Sequence, residues 1–150
     1  MKTIYFLLLI PILLSAQNAG GIFSVGPNMN ETRMGHNHVV LDNGDILLLG
    51  GHTTNFISMS TAEYFSNNTF VSLNMNYPHD TPALVKHANG LYYIFGGSDN
   101  LGIAPGFATV DVYNPATNTF SALPSTMNYG RMMAQGTMLS DGKILIGGNF

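Results

Sequence analysis

The chain has 150 residues, 45% of them hydrophobic and only 9% charged, with a formal net charge of −3, 17 glycines and no cysteine. That length holds one domain, and so apolar a composition is not that of a disordered chain. The few basic residues are scattered, which excludes a phosphate-tracking surface, and the lack of cysteine excludes disulfides, thiolate metal sites and a cysteine nucleophile.

The first segment reads as a secretory signal. Lys2 supplies the positive charge, Ile4–Leu14 the apolar stretch, and Ser15-Ala16 the small residues before a cleavage at Gln17. As a helix this stretch would reach about 16 Å at roughly 1.5 Å per residue, against a bilayer core of about 30 Å. Pro11 interrupts it as well. Residues 1–16 therefore predict export, with the product secreted, periplasmic or at the cell surface and no transmembrane segment left after cleavage. Residues 17–21 read as a flexible N-terminus.

A short strand, Ile22–Val25, is predicted next, and then a stretch that recurs. Met29–Gly51, Met75–Gly97 and Met127–Gly148 each open on Met-Asn and each carry an apolar run, a turn pair, a second apolar run and two glycines. The turn pairs are Asn43-Gly44, Asn89-Gly90 and Asp141-Gly142, residues suited to the positive φ angles of a type I′ hairpin turn. The flanking runs, such as Ile46–Leu49 and Leu91–Phe95, are too short for helices and rich in strand formers. Three β-hairpins follow, and the near-continuous apolar second strands predict burial on both faces.

After each complete hairpin come a loop and two more strands. The third carries an acid followed by apolar or aromatic residues, Glu63-Tyr64-Phe65 and Asp111-Val112-Tyr113. The fourth is led by an aromatic, Phe70 and Phe120, with Phe23 the first of that series. The glycine pairs lie 46 and 51 residues apart. Four strands at a period near 50 residues predict propeller blades. Labelled a to d from the inside outward, the strands read d, abcd, abcd, ab: a lone outer strand at 22–25, one blade at 29–73, a second at 75–123 and a truncated third at 127–150. Propellers usually have 4–8 blades, so the expectation is the N-terminal part of a longer ring.

These residues resemble the kelch motif. Arg33, Gly35-His36, Gly44, Gly50-Gly51, Glu63 and Phe65 match it in the first copy; Gly90, Gly96-Gly97, Asp111, Tyr113-Asn114-Pro115 and Thr117 in the second; Arg131, Gly142 and Gly147-Gly148 in the third. The resemblance implies an all-β, kelch-type propeller of four-stranded antiparallel blades, incomplete here. It implies little about function, because such propellers serve enzymes, carbohydrate binders and interaction modules alike. Galactose oxidase, one resembling propeller, needs copper and a cysteine cross-linked to tyrosine, which this chain does not offer. A mutarotase-like enzyme would draw on channel arginines such as Arg33 and Arg131.

Arg33, His79 and Arg131 hold equivalent places at the start of strand a. They are candidate ligand contacts at one mouth of the channel, or structural partners of Glu63 and Asp111. His52, which follows a glycine pair, and Asp99 in the corresponding loop of the second blade are further ligand candidates, since loops on a rigid scaffold carry function disproportionately. His36 and His38 alternate onto one face as metal ligands can, yet no other repeat supplies a third ligand, so no metal or cofactor is expected. The glycine pairs end strands without a following Lys-Ser/Thr and are not phosphate cradles. Glu63 and Asp111 are repeat-equivalent and look structural, not a glycosidase pair. Asn30-Glu31-Thr32 and Asn67-Asn68-Thr69 fit the glycosylation sequon. The preferred reading is an exported binding module for a carbohydrate or protein, leaning away from catalysis. The alternative is an exported carbohydrate-active enzyme, mutarotase-, epimerase- or oxidase-like, whose catalytic residues lie partly in further C-terminal blades.

Overall fold

The computed structural model describes residues 24–98 and 106–149. Among them there is no helix, only ten strands. The first blade is β1 (Asn37–Val40), β2 (Ile46–Leu49), β3 (Thr61–Ser66) and β4 (Thr69–Asn74). The second is β5 (Ala83–Lys86), β6 (Tyr92–Phe95), β7 (Val110–Asn114) and β8 (Thr119–Ala122), and β9 (Met132–Met138) pairs with β10 (Ile144–Asn149) to start a third. Each blade is an antiparallel meander in which neighbours in sequence are neighbours in the sheet. This is the architecture of incomplete kelch-type propeller blades. The export segment, Ile22 and Phe23 lie outside the described residues, and Ser24 and Val25 form no strand.

The hairpin turns differ from expectation. Each a–b connection is a three-residue loop, not a type I′ pair. In the first, the Leu41 N–H donates to Asp45 O (2.8 Å) and the Gly44 N–H to Leu41 O (2.9 Å). Only Gly44, at φ +88°, takes a positive φ there, and Gly90 and Gly142 do the same in the later copies. That is a type I turn closed by a left-handed glycine. The Asn or Asp before the glycine serves another purpose: Asn43, Asn89 and Asp141 each accept the N–H two residues on, at 3.0–3.1 Å, the Asx turn such side chains favour. Two central residues with positive φ occur instead at Asn67-Asn68 (49° and 61°), between Ser66 and Thr69 of the outer hairpin.

Strand alternation gives each blade two faces. One face of β1–β4 presents Val39, Leu47, Leu49, Ala62, Tyr64 and Leu73, and it packs on the facing side of the second blade, Leu84, Tyr92, Ile94, Tyr113 and Phe120, with Met75 wedged between. The opposite side of the second blade, Ala83, Val85, Phe95 and Val110, packs against Ala134, Ile144 and Ile146, with Met127 in the seam. Met75 and Met127 are inter-blade packing, as an adaptable side chain suits. Fully burying each such aliphatic or aromatic side chain stabilises by about 1.5–3 kcal/mol. Burial of strand b on both faces holds for β6 but not for β10, where Leu145 is 57% exposed. The reason is position: only the second blade has a described blade on each side.

The register of the third hairpin corrects the repeat. Asn37 pairs with Leu49, Ala83 with Phe95 and Gln135 with Gly147. Gly147 thus occupies the strand position of Leu49 and Phe95, and Gly148 is the counterpart of Gly50 and Gly96. The third copy, Met127–Gly148, is one residue shorter than the others up to its glycine pair, because a glycine stands at its strand end, followed by a bulge between Gly147 and Asn149.

The glycine pairs are where blades meet. The Gly51 N–H donates to His79 O (2.7 Å) and the Gly97 N–H to Arg131 O (2.8 Å). A Cβ on Gly50 would overlap the His79 carbonyl, and one on Gly96 the Arg131 carbonyl. A second chain of backbone bonds runs blade to blade, Thr81 N–H to Gly35 O (3.0 Å) and Met133 N–H to Thr81 O (3.1 Å).

Candidate functional site

In a meander, the b–c loops and the connections from strand d to the next strand a emerge at the same end. Arg33, His79 and Arg131 all lie there, at the start of strand a, and the structure turns all three side chains into their own blade. Arg33 is buried; its Nη1 donates to Gly50 O (2.8 Å) and Thr61 O (3.0 Å), and its Nη2 to Glu63 Oε1 (3.0 Å) and Glu31 Oε2 (3.3 Å). His79, fully buried, lies 2.5 Å through Nδ1 from Gly96 O and 3.1 Å through Nε2 from Asp111 Oδ2. Arg131 Nη1 donates to Gly148 O (3.0 Å).

The acids complete the pattern. Glu63 accepts the Asn30 N–H (2.7 Å) and the Glu31 N–H (3.1 Å). Asp111 accepts the Asn76 and Tyr77 N–H groups, both at 3.0 Å, and the Asn76 side-chain amide at 2.6 Å. Each blade's acid therefore clasps the two backbone N–H groups that follow Met-Asn's methionine. This explains why Met-Asn recurs at a fixed distance before strand a. Both carboxylates are fully buried and tied to these backbone and side-chain partners, which keeps them out of a substrate's reach.

His52 is different. It bridges Met34 and Ser58 through its backbone, and its Nδ1 lies 2.9 Å from Asp80 Oδ1. Asp80 Oδ2 in turn accepts from Ser98 Oγ (3.1 Å). Ser58 Oγ donates to Ser98 O (2.7 Å), which joins the two b–c loops. Asp80 and Ser98 are buried, whereas the His52 side chain keeps 16% of its surface open. Asp99 lies outside the described residues. Asp80 and Ser98 were not expected from the sequence. A signal was available: Asp80 stands where the other copies have Met34 and Met132, so it breaks the repeat, and Ser98 is the repeat counterpart of His52.

Below these residues the starts of the three inner strands bound a cleft of about 420 Å³, lined by residues 35–38, Thr81-Pro82 and 133–135. His36 contributes to its wall, with Nδ1 buried and without a hydrogen-bond partner. Burial, and then the charge of Arg33, hold the His36 imidazole below its usual value. His38 follows two residues on, yet the described residues contain no group of three or more His, Cys, Asp or Glu able to hold a metal ion.

Residues 88–127 match the Kelch motif family, covering the turn, outer strands and linker of the second blade. No curated protein matches the chain. Among solved structures it is similar to a fungal alcohol oxidase of the AA5 family, solved in complex with copper, at 21% identity and a TM-score of 0.68. The match covers 77% of this chain and 27% of that one. At that identity the likeness is one of fold, and it agrees with the strand order, the glycine junctions and the clasp residues in making this a kelch-type propeller protein.

Proposed function

We propose that this chain belongs to an exported binding or interaction module that holds a carbohydrate or protein ligand at the loop end of its blades. One observation carries the reading. The ionisable groups inside the blades are committed to the fold, through Arg33–Glu63 and His79–Asp111. At the loop end, by contrast, His52 is oriented by a buried carboxylate and still opens to solvent. Rigid blades presenting polar loop groups are how such scaffolds bind ligands. Export is supported by Lys2, the apolar run Ile4–Leu14 and Ser15-Ala16.

The test is production of the complete reading frame in an exporting host. N-terminal sequencing of the secreted product should begin at Gln17. A glycan array and a screen against candidate protein ligands should then yield binding at micromolar levels; silence in both would remove the reading. A second reading, an exported carbohydrate-active enzyme, draws on the likeness to an oxidase. It would draw its catalytic groups partly from further C-terminal blades, because Glu63 and Asp111 are buried and tied to Arg33 and His79. Turnover of a sugar by the secreted product would favour it.

A further inference from the structure

We propose that Phe56 and His52 form a saccharide-binding station on the first blade, where a neutral sugar ring stacks on Phe56 and one of its hydroxyls donates to His52 Nε2. This rests on the loop-end reading above and narrows it to a ligand class and two residues.

Two independent observations meet here. The first is the backbone of Phe56, at φ +59°, a region bulky residues rarely adopt. Such strain collects at ligand clamps. The loop enforces it: the Thr53 N–H donates to Ile57 O (3.0 Å), the Phe56 N–H to Thr53 O (2.9 Å), and Thr53 Oγ1 accepts the Asn55 and Ile57 N–H groups, each at 3.3 Å. The outcome is an aromatic ring lifted to the surface, 45% exposed, beside an exposed Ile57. Its ring stacks on His52 with centroids 5.3 Å apart and planes 22° from parallel.

The second is the imidazole itself. Asp80 Oδ1, 2.9 Å from Nδ1, accepts, so in the neutral imidazole Nδ1 carries the proton and Nε2 is the acceptor. Nε2 has no hydrogen-bond partner among the described residues. Ser98 fixes the other oxygen of Asp80. Gly35 leaves the room: a Cβ there would stand 2.5 Å from Asp80 Oδ1 and 3.3 Å from His52 Cε1.

An apolar plate beside a fixed acceptor matches a sugar, whose ring has an apolar C–H face and whose rim is a row of hydroxyl donors. The carboxylate behind the imidazole disfavours an anionic ligand, which selects neutral sugars. A protein ligand could also use Phe56 and Ile57, but it would not need the acceptor.

The probe is a panel of immobilised neutral glycans carrying glucose, galactose, mannose or N-acetylglucosamine, presented to the complete secreted protein, with affinities then measured by calorimetry. At least one should bind. Phe56→Ala and Phe56→Leu should each weaken it about tenfold or more, and Phe56→Trp should retain it. His52→Asn puts an amide nitrogen where Nδ1 stands but removes Nε2; it should weaken binding about tenfold. His52→Gln keeps a polar atom near Nε2 and should recover part of the loss. Unchanged unfolding midpoints show that these variants fold. Glycan binding indifferent to Phe56→Ala and His52→Asn overturns the station and leaves the loop-end reading in place. A protein ligand with no glycan bound overturns it too, again leaving the broader reading. No ligand of either kind overturns both.

Discussion

The first and second blades solve one problem with different chemistry. Each must hold the segment that leads into its inner strand, and each uses an acid on strand c to accept two backbone N–H groups. The fifth residue of the repeat then closes the clasp: Arg33 on Glu63 at 3.0 Å in the first blade, His79 on Asp111 at 3.1 Å in the second. Both also reach the carbonyl of the first glycine of the pair, Gly50 and Gly96. The comparison teaches that the backbone pattern is the fixed part. The side chain in the clasp need only carry two nitrogens spaced to span acid and carbonyl.

The largest effect should come from removing the acids, and it should differ between blades. Glu63→Ala leaves a buried guanidinium that cannot shed its proton, with only the half-exposed Glu31 carboxylate at 3.3 Å as a remaining partner. Breaking such a pair costs about 3–5 kcal/mol. Asp111→Ala strands the Asn76 and Tyr77 N–H groups beside an imidazole, which unlike a guanidinium carries no obligatory charge. The cost should fall nearer the roughly 1–3 kcal/mol of unsatisfied donors. Urea midpoints of the two variants of the complete protein measure this. Equal losses would mean that the charge in the first clasp is of no consequence.

A smaller contrast lies at the residue after each blade's lead-in, where Gly35, Thr81 and Met133 all have positive φ, 65°, 53° and 48°. Glycine is needed only in the first. Gly35→Ala meets both the strained φ and the Asp80 carboxylate, and should cost about 2 kcal/mol. Thr81→Gly trades relief of a strained β-branched residue against the greater entropy loss of glycine on folding. It should stay within about 1 kcal/mol of the parent. If Gly35→Ala is as mild as Thr81→Gly, Asp80 is free to move and is not the fixed support of His52.

The strands and their phase were legible because one pattern was written three times. Ile46–Leu49 is β2 with the same bounds, and the acid, the aromatic-led strand and Met-Asn all recur at matching positions. The misread features are those that a residue pair or a spacing alone cannot fix. Asn-Gly serves both a type I′ turn and a type I turn closed by a glycine, and only the hydrogen bonds decide. Two adjacent glycines at Gly147-Gly148 resemble the earlier pairs, but strand pairing moves them by one position. Of the site, His52 was legible as the first loop residue after a glycine pair. Asp80 and Ser98 were not, because they reach it from two other segments, 28 and 18 residues apart in their contacts.

The smallest expected effect separates the blades by pH. Beside the first clasp stands His36; the second blade has Pro82 there, which cannot titrate. Burial, then the Arg33 charge, hold His36 below its ordinary value of 6.5, so the folded protein resists a proton that the unfolded chain accepts. Above that value neither state carries the proton and His36 contributes nothing to pH dependence. As the pH falls below 6.5 the unfolded state binds more protons, and stability declines until the folded-state value is passed and the slope levels off. His36→Gln should remove this component. The quantity to measure is the difference in urea midpoint between parent and variant, followed from pH 7.5 to pH 5, which should favour the variant progressively toward acid. Parallel curves would show that neither burial nor the Arg33 charge holds the folded His36 below its ordinary value.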